Sequence, residues 1–565
     1  MEDRSPRHPG IPHYRMVIAA VAALTATVLT SCVPVQSVTN TARHTDAYGT
    51  PVGDQPVRAG GSLTMGLSAE PDRLDPTTSS SLYTRYVMSS MCEKLYDLDS
   101  EGTIVPQLAT ALPDVSADGL TVTIPVRTGA VFADGTRFDA AAVRTSLLRH
   151  FSLPTSQRTP EMGQIRSIEA PDARQVVIRY KRPFAPIAAA LADRAGMIMS
   201  PKALAAEGDD FGDKPVCVGP FKFVERVPQT SITVERDPRY YDARDIRLDK
   251  ITYRIMPDAN IRAANLRSGD IQVADTISPQ DVDALVKEPE LRLLQSGSLG
   301  YSGVTINTGN VDGVGTAAKR IDTPIASDAR VRAAFAASID RKTLVNTVFN
   351  NWFEPACSPI APQTVYASAA SNACPAFDPE RARRLLAEAG VKTPYRVTLQ
   401  VSNSQDQIRY AQALQASVAE GGFDLRIVPV EYSTLLDVEK RGTFELLLLG
   451  WSGRIDPDGN TSRFLATGSA GNYGGFSSKT LDDLLARASR TTDTKERTAL
   501  YGRAVTLLQR QNPLVYTYRQ RNLTVASTSV AGVRVYTDGV VRLSEAAFRT
   551  AGAGANADAG TGKEG

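Results

Sequence analysis

VTLQV at residues 397–401 and LRIVPV at 425–430 flank a helix-forming stretch around Tyr410 to Glu420, and FELLLLGWSGRIDPDGN follows at 444–460. A run such as Leu446 to Leu449, apolar at successive positions, has to be covered on both faces, so it reads as a central strand of a buried sheet. Strand, helix, strand and a further strand in this order make an α/β unit with layers of helix over sheet. Trp451, Ser452 and Gly453 stand just past the carboxyl end of that strand, where ligand crevices of such sheets form.

The same alternation extends outward. Gly61 to Leu67 reads as a strand opening a sheet, and Leu120 to Val126 alternates again. Asp134-Gly135 marks a turn, and Asp139 caps the helix AAAVRTSLLRHF. Val176 to Tyr180 reads as a strand, followed by a Pro-rich elbow and an Ala-rich helix ending near Gly196. Asp328 starts another helix, and Asp378-Pro379-Glu380 supplies a cap, a first-turn proline and a first-turn acid for ERARRLLAEAG.

The amino terminus carries Arg4, Arg7 and Arg15, then no charge from Met16 to Thr30, and ends in Leu29-Thr30-Ser31-Cys32. This is an export signal, too short for a permanent span of about 20 apolar residues. Leu-Thr-Ser-Cys resembles a bacterial lipobox, which implies an acylated Cys32 as a lipid anchor on the outer face of the cell membrane. Residues 33–59, rich in Thr, Val, Pro and Gly without an amphipathic period, read as a flexible tether. Removing 31 of the 565 residues leaves 534, enough for two or three domains. A formal net charge of +2 without long basic runs gives no reason to invoke nucleic acid.

Four cysteines remain after the anchor: Cys92, Cys217, Cys357 and Cys374. In an exported protein an even count favours disulfides; three connectivities are open, as are four free buried thiols, and we expect Cys92 with Cys217 and Cys357 with Cys374. His8, His13 and His44 fall in the signal and tether, which leaves His150 alone in the folded region. A Ser-His-Asp hydrolase would have to use it, and no Gly-x-Ser-x-Gly elbow is present. The plainer reading is a surface or helix-end histidine. Neither a multi-histidine metal site nor a phosphate loop can be assembled, so no metal, cofactor or enzymatic activity is expected.

Seven ordered segments resemble family 5 of the bacterial solute-binding proteins, the oligopeptide, dipeptide and nickel-chelate binders of ATP-binding-cassette (ABC) importers. They begin GGSLTMGLSAEPDRLDP at Gly60, KLYDLDSEGTIVPQLATALPDVSADGLTVTIPVRTGAVFADGTRFDAAAV at Lys94, PVCVGPFKFVERVPQTSITVERDPRYY at Pro215 and LRSGDIQVAD at Leu266. DARVRAAFAASIDRKTLV at Asp328, DPERARRLLAEAG at Asp378 and GWSGRIDPDGN at Gly450, leading to NYGGFSS, complete the series.

The resemblance implies a bilobal α/β fold of the periplasmic-binding-protein type with an extra third domain, mixed sheets flanked by helices, and a ligand enclosed between lobes. It places residues 60–102, 215–303 and 508–548 in lobe I, 103–214 in the extra domain and 304–507 in lobe II, while the small, polar end from Ala551 cannot bury a core, so that 549–565 reads as a disordered tail. The implied role is a monomeric binding lipoprotein that captures peptides or peptide-like solutes for permease and ATPase subunits. A non-peptide solute, a peptide signal or, at the far end, a secreted hydrolase are the alternatives. The implied ligand contacts are Ser80, Ser81 and Tyr83 in lobe I, with Trp451, Ser452, Gly453, Arg454, Asp456, Asp458, Asn472 and Tyr473 in lobe II. Peptide-binding relatives carry an aspartate three residues after the tryptophan, which meets the ligand ammonium. Here Arg454 stands there. Either Asp456 or Asp458 takes the acidic role, or the pocket prefers an anion, or Arg454 pairs with one of these aspartates to fix its loop.

Overall fold

A computed structural model describes residues 44–550; the export signal and Cys32 lie outside them. Three sheets organise the chain. In the seven-stranded sheet the strands run in the order Leu291–Gly297, Arg521–Ser527, Val273–Ala274, Ser62–Leu67, Lys250–Ile255, Ser231–Arg236 and Phe221–Val227. Ser62–Leu67 is parallel to both its neighbours and buries Leu63, Met65 and Leu67 completely.

The six-stranded sheet has the order Glu354–Pro355, Leu514–Arg519, Tyr301–Ile306, Leu446–Trp451, Tyr395–Ser402 and Phe423–Val430. Leu446–Trp451 is central, as its run of leucines demands, with Leu446, Leu447 and Leu448 buried. The helix Gln405–Glu420 returns the chain from Tyr395–Ser402 to the parallel strand Phe423–Val430. Asp378 caps the helix Pro379–Glu388 by accepting from the Arg381 amide at 2.8 Å. A third, antiparallel sheet of four strands lies between Asp114 and Tyr180 over its own core of Val122, Ile178 and Leu147.

The chain passes between the two large sheets at Gly297–Tyr301 and again at Arg519–Arg521. The expected boundary at 303/304 therefore falls inside the strand Tyr301–Ile306, and the one at 507/508 inside the helix Thr494–Gln511. Hydrophobic pattern could not place these crossings, because the strands on either side of each are equally buried. The Ala-rich helix is shorter than expected, Ile187–Leu191, followed by a separate turn at Arg194–Gly196. Cys92 is joined to Cys217 and Cys357 to Cys374, each pair with Cα atoms 4.9 Å apart.

His150 is fully buried at the end of the helix Ala140–Ser152, not at the surface. Its Nδ1 lies 2.9 Å from the Thr77 hydroxyl and its Nε2 3.2 Å from the Met197 carbonyl, and burial holds its pKa down to about 4. This is a neutral packing histidine.

The tether is corrected from residue 44 onward. Val57–Arg58 pairs with the carboxyl-terminal strand Ala547–Arg549, and the backbone of Ala47 bridges to Gln295. The Asp46 carboxylate accepts from the buried Arg521 guanidinium and, at 2.9 Å, from the Gly297 amide. Tyr48 stands edge-on to Tyr536 with ring centroids 6.0 Å apart. Backbone pairing does this docking, so no amphipathic period announces it. By the same pairing Arg549 and Thr550 belong to the fold and not to the tail. Asp46→Ala leaves Arg521 with Gln295 as its remaining side-chain acceptor. The expected loss is about 1.5–3 kcal/mol in chemical denaturation, with no change in the slope against denaturant.

Candidate functional site

A cavity of about 400 Å3 opens between the two large sheets, at the carboxyl ends of Tyr395–Ser402 and Leu446–Trp451. Aromatic rings form its walls. Tyr83 comes from the helix Leu82–Met91 beside the seven-stranded sheet, and Tyr432 opens the helix Tyr432–Arg441 on the other side. Their rings meet edge to face across the cleft, 5.4 Å between centroids. Trp451 supplies the third wall. The Ser68 hydroxyl is hydrogen-bonded to that of Tyr83 at 3.0 Å, and the Ser68 backbone N–H donates to the Asp275 carboxylate at 2.8 Å.

Polar groups reach the cavity from two strand ends. Asn403, Gln405, Asp406 and Gln407 lie in the turn and first helical residues after Tyr395–Ser402. Glu431 caps the next helix, accepting from the Thr434 amide at 3.0 Å, and its side chain also borders the space. Gln407 is fixed by donating to Tyr518 at 2.8 Å. None of these polar residues was among the expected contacts. The rule that placed Trp451, that ligands gather at carboxyl ends of parallel strands, applies equally to the adjacent strand and would have found them.

Behind Trp451 the loop is held by Asn460. Its Oδ1 accepts from the Trp451 indole at 2.8 Å and from the Arg454 amide at 2.7 Å, and its Nδ2 donates to the Arg454 carbonyl at 2.8 Å. Gly453 adopts φ +86°, and a Cβ there would sit 2.3 Å from the Leu299 carbonyl carbon, so only glycine fits. The Arg454 guanidinium then stacks over Trp451, 4.3 Å from the ring centroid.

Of the expected contacts, Tyr83, Trp451 and Ser452 line the cavity. Ser81 caps the helix Leu82–Met91, and the Ser80 amide donates to Asp72 at 2.7 Å. Asn472 ties its own loop by donating to the carbonyls of Ala466 and Phe476. Tyr473 is buried beside Phe464. Arg454 pairs with neither nearby aspartate. Asp456 is chelated by Arg497 at 2.7 and 2.8 Å. Asp458 is buried, accepts from the Ser462 hydroxyl at 2.6 Å, and is pushed up to about 7 by burial and by Asp456. Neither carboxylate lines the cavity.

Arg454 faces Asp193 instead, at 3.4 Å. Asp193 also pairs with Arg85 at 2.6 Å, and Arg85 donates to Ser452 at 3.3 Å and to the Asp538 carbonyl at 2.8 Å. Next to them Glu161 is shared by Arg158 at 2.8 Å and Arg463 at 3.0 Å. Burial alone would raise Asp193, but Arg454, Arg85 and Arg194 outweigh it and hold the carboxylate well below its usual range. Sequence gave no sign that residues 158–194 would meet residues 454–463.

The profile described as bacterial extracellular solute-binding proteins, family 5 Middle, matches residues 103–473. A glutathione-binding protein GsiB of Salmonella paratyphi A is 30% identical over 497 residues, covering 86% of this chain and 94% of its own. Among solved structures, DppA of Helicobacter pylori in complex with the peptide STSA is 24% identical with a TM-score of 0.78, covering 87% of this chain and 99% of its own. AgaA of A. tumefaciens R10 in complex with agropinic acid is 27% identical with a TM-score of 0.76, covering 86% and 96%.

Asp458 generates a pH test. An acid whose folded pKa is raised leaves stability intact below its unfolded pKa and removes it as pH rises towards the folded value. Asp458→Asn, which keeps an acceptor for Ser462, is therefore expected to match the parent near pH 4. It should exceed the parent by about 2–4 kcal/mol at pH 7, read from denaturation at both pH values.

Proposed function

Because the chain belongs to family 5 of the bacterial extracellular solute-binding proteins, we propose that it captures a peptide or peptide-like solute between Tyr83, Tyr432 and Trp451 and hands it to an ABC permease. Members of this family act outside the cytoplasm as binding components of importers and are not enzymes. The observation that carries the peptide reading is the cavity itself, a space of about 400 Å3 with aromatic walls and amide, hydroxyl and carboxylate groups at two strand ends. Volumes of about 300–1,000 Å3 with a few placed polar groups suit compact ligands, which favours short peptides over long ones. The names of the relatives, glutathione-binding and peptide-bound, support the same class.

Capture works through closure. Groups from both lobes line the space, so the closed form gains its full hydrogen bonding when a ligand supplies the missing partners. The permease then distinguishes loaded from empty protein by shape. Acylation of Cys32 would hold the monomer at the outer face of the membrane, with residues 44–59 docked on the folded body. Among the described residues no helix is long and apolar enough to cross a membrane, and the anchor reading rests on Leu29-Thr30-Ser31-Cys32. A second reading, a non-peptide acidic solute, draws on the likeness to AgaA with its agropinic acid.

Thermal unfolding of the purified protein against glutathione and a panel of di- to pentapeptides is the test. A ligand at about 100 times its Kd adds about 2.7 kcal/mol to the folded state. Trp451→Ala or Tyr83→Ala is expected to weaken binding about tenfold, and mass spectrometry should recover the ligand unaltered. A panel in which no peptide shifts the transition defeats the peptide reading.

A further inference from the structure

The chemistry behind Trp451 is unbalanced. Five guanidinium groups, those of Arg85, Arg158, Arg194, Arg454 and Arg463, are buried there. The carboxylates among them are Asp193 and Glu161. Asp538 is within 3.4 Å of Arg85, but Arg542 already chelates it with two bonds of 3.0 Å. Glu439 lies near Arg463, yet burial pushes its pKa up to about 8, so it is largely protonated at neutral pH.

The hydrogen bonding is also incomplete. Nε of Arg454, Nη2 of Arg194, Nε of Arg158 and Nε of Arg463 find no hydrogen-bond acceptor among the described residues, and Nη2 of Arg454 and Nε of Arg194 have only the Asp193 carboxylate, 3.4 and 3.5 Å away and outside hydrogen-bond geometry. Burial lowers the pKa of Arg454 and Arg194 to about 9. Desolvated donors in this number ask for an anion, and a planar guanidinium fork matches a carboxylate in particular.

The basin adjoins the cavity. Ser452 lines the cavity and accepts from Arg85 at 3.3 Å; Trp451 lines it and carries Arg454 on its ring at 4.3 Å. Resting on the reading that solute is captured in that cavity, we propose that these arginines form an anion subsite that receives a carboxylate of the solute. The captured solute thus presents its acid to position 454.

Closure follows from the same assembly. Arg85 comes from beside the seven-stranded sheet, Arg158 and Arg194 from the region of the four-stranded sheet, and Arg454 and Arg463 from beside the six-stranded sheet. Bringing them together without an anion concentrates like charge and strands N–H donors. A carboxylate neutralises the excess, so anion binding and lobe closure reinforce each other.

The experiment compares Ala-Ala-Ala, its carboxy-terminal amide, its N-acetyl derivative, glutathione and glutarate as ligands in calorimetry, on the parent protein and on Arg454→Gln. Free acids are expected to bind about 10- to 100-fold tighter than the amide, with acetylation costing far less, and Arg454→Gln should bring the acid-to-amide ratio close to one. If the peptides bind but the amide equals or exceeds the acid, the subsite is refuted while peptide capture stands. Arg454-dependent binding of glutarate with no peptide bound would retain the subsite and remove the peptide reading. Silence from every ligand overturns both. Should Arg454→Gln fail to fold, the acid-to-amide ratio of the parent protein decides.

Discussion

Asp193 is the point at which three parts of the chain are held together. Its carboxylate meets Arg85 from beside the seven-stranded sheet, Arg454 from the loop after the central strand of the six-stranded sheet, and its own neighbour Arg194. A carboxylate this deeply buried is costly unless its partners are in place, and those partners arrive from separate structural units. The ion pairs therefore do more than hold one loop. They make the state with lobes in contact depend on electrostatics, where each lobe alone depends on its apolar core.

The positions of the crossings give this dependence a mechanical outlet. The chain passes between the large sheets at Gly297–Tyr301 and at Arg519–Arg521, and Gln520 and Ser302, at or beside these crossings, both line the cavity. A ligand in the cavity would thus touch both segments that join the lobes. Hinges made of a few element-terminal residues concentrate the change in backbone angles at such places. The cavity, the two crossings and the charge basin all lie along one cleft.

Much of the architecture was legible in the sequence because it follows from local rules. The leucines at 446–449 required a central strand, Asp139, Asp328 and Asp378 capped the helices they precede, and Trp451 stood at a strand end that faces a cavity. What was hidden depends on contacts between distant residues. Residues 44–59 dock by backbone pairing, which leaves no hydrophobic period, and Asp193 meets Arg454 across 261 residues of sequence. Asp456 and Asp458 looked available beside Arg454 because they are near in sequence. The chain instead turns Asp456 towards Arg497 and buries Asp458.

The Asn460 clamp shows why the fold of this loop does not depend on the charge at position 454. Asn460 bonds the indole of Trp451 and the backbone amide and carbonyl of residue 454, and makes no bond to the Arg454 side chain. Gly453 fixes the turn by its backbone angle and its closeness to Leu299. The loop geometry is thus set by main-chain atoms and by one neighbouring amide, and it would accept an acid or a base at 454 alike. What limits that choice lies outside the loop, in the sign of the charges that face it. Here Asp193 offers a single carboxylate to several guanidinium groups, so the surroundings tolerate arginine only in part, and the remaining imbalance is what a ligand carboxylate is suited to relieve. Specificity in such a site is decided by the difference between the charge the scaffold supplies and the charge it needs when closed.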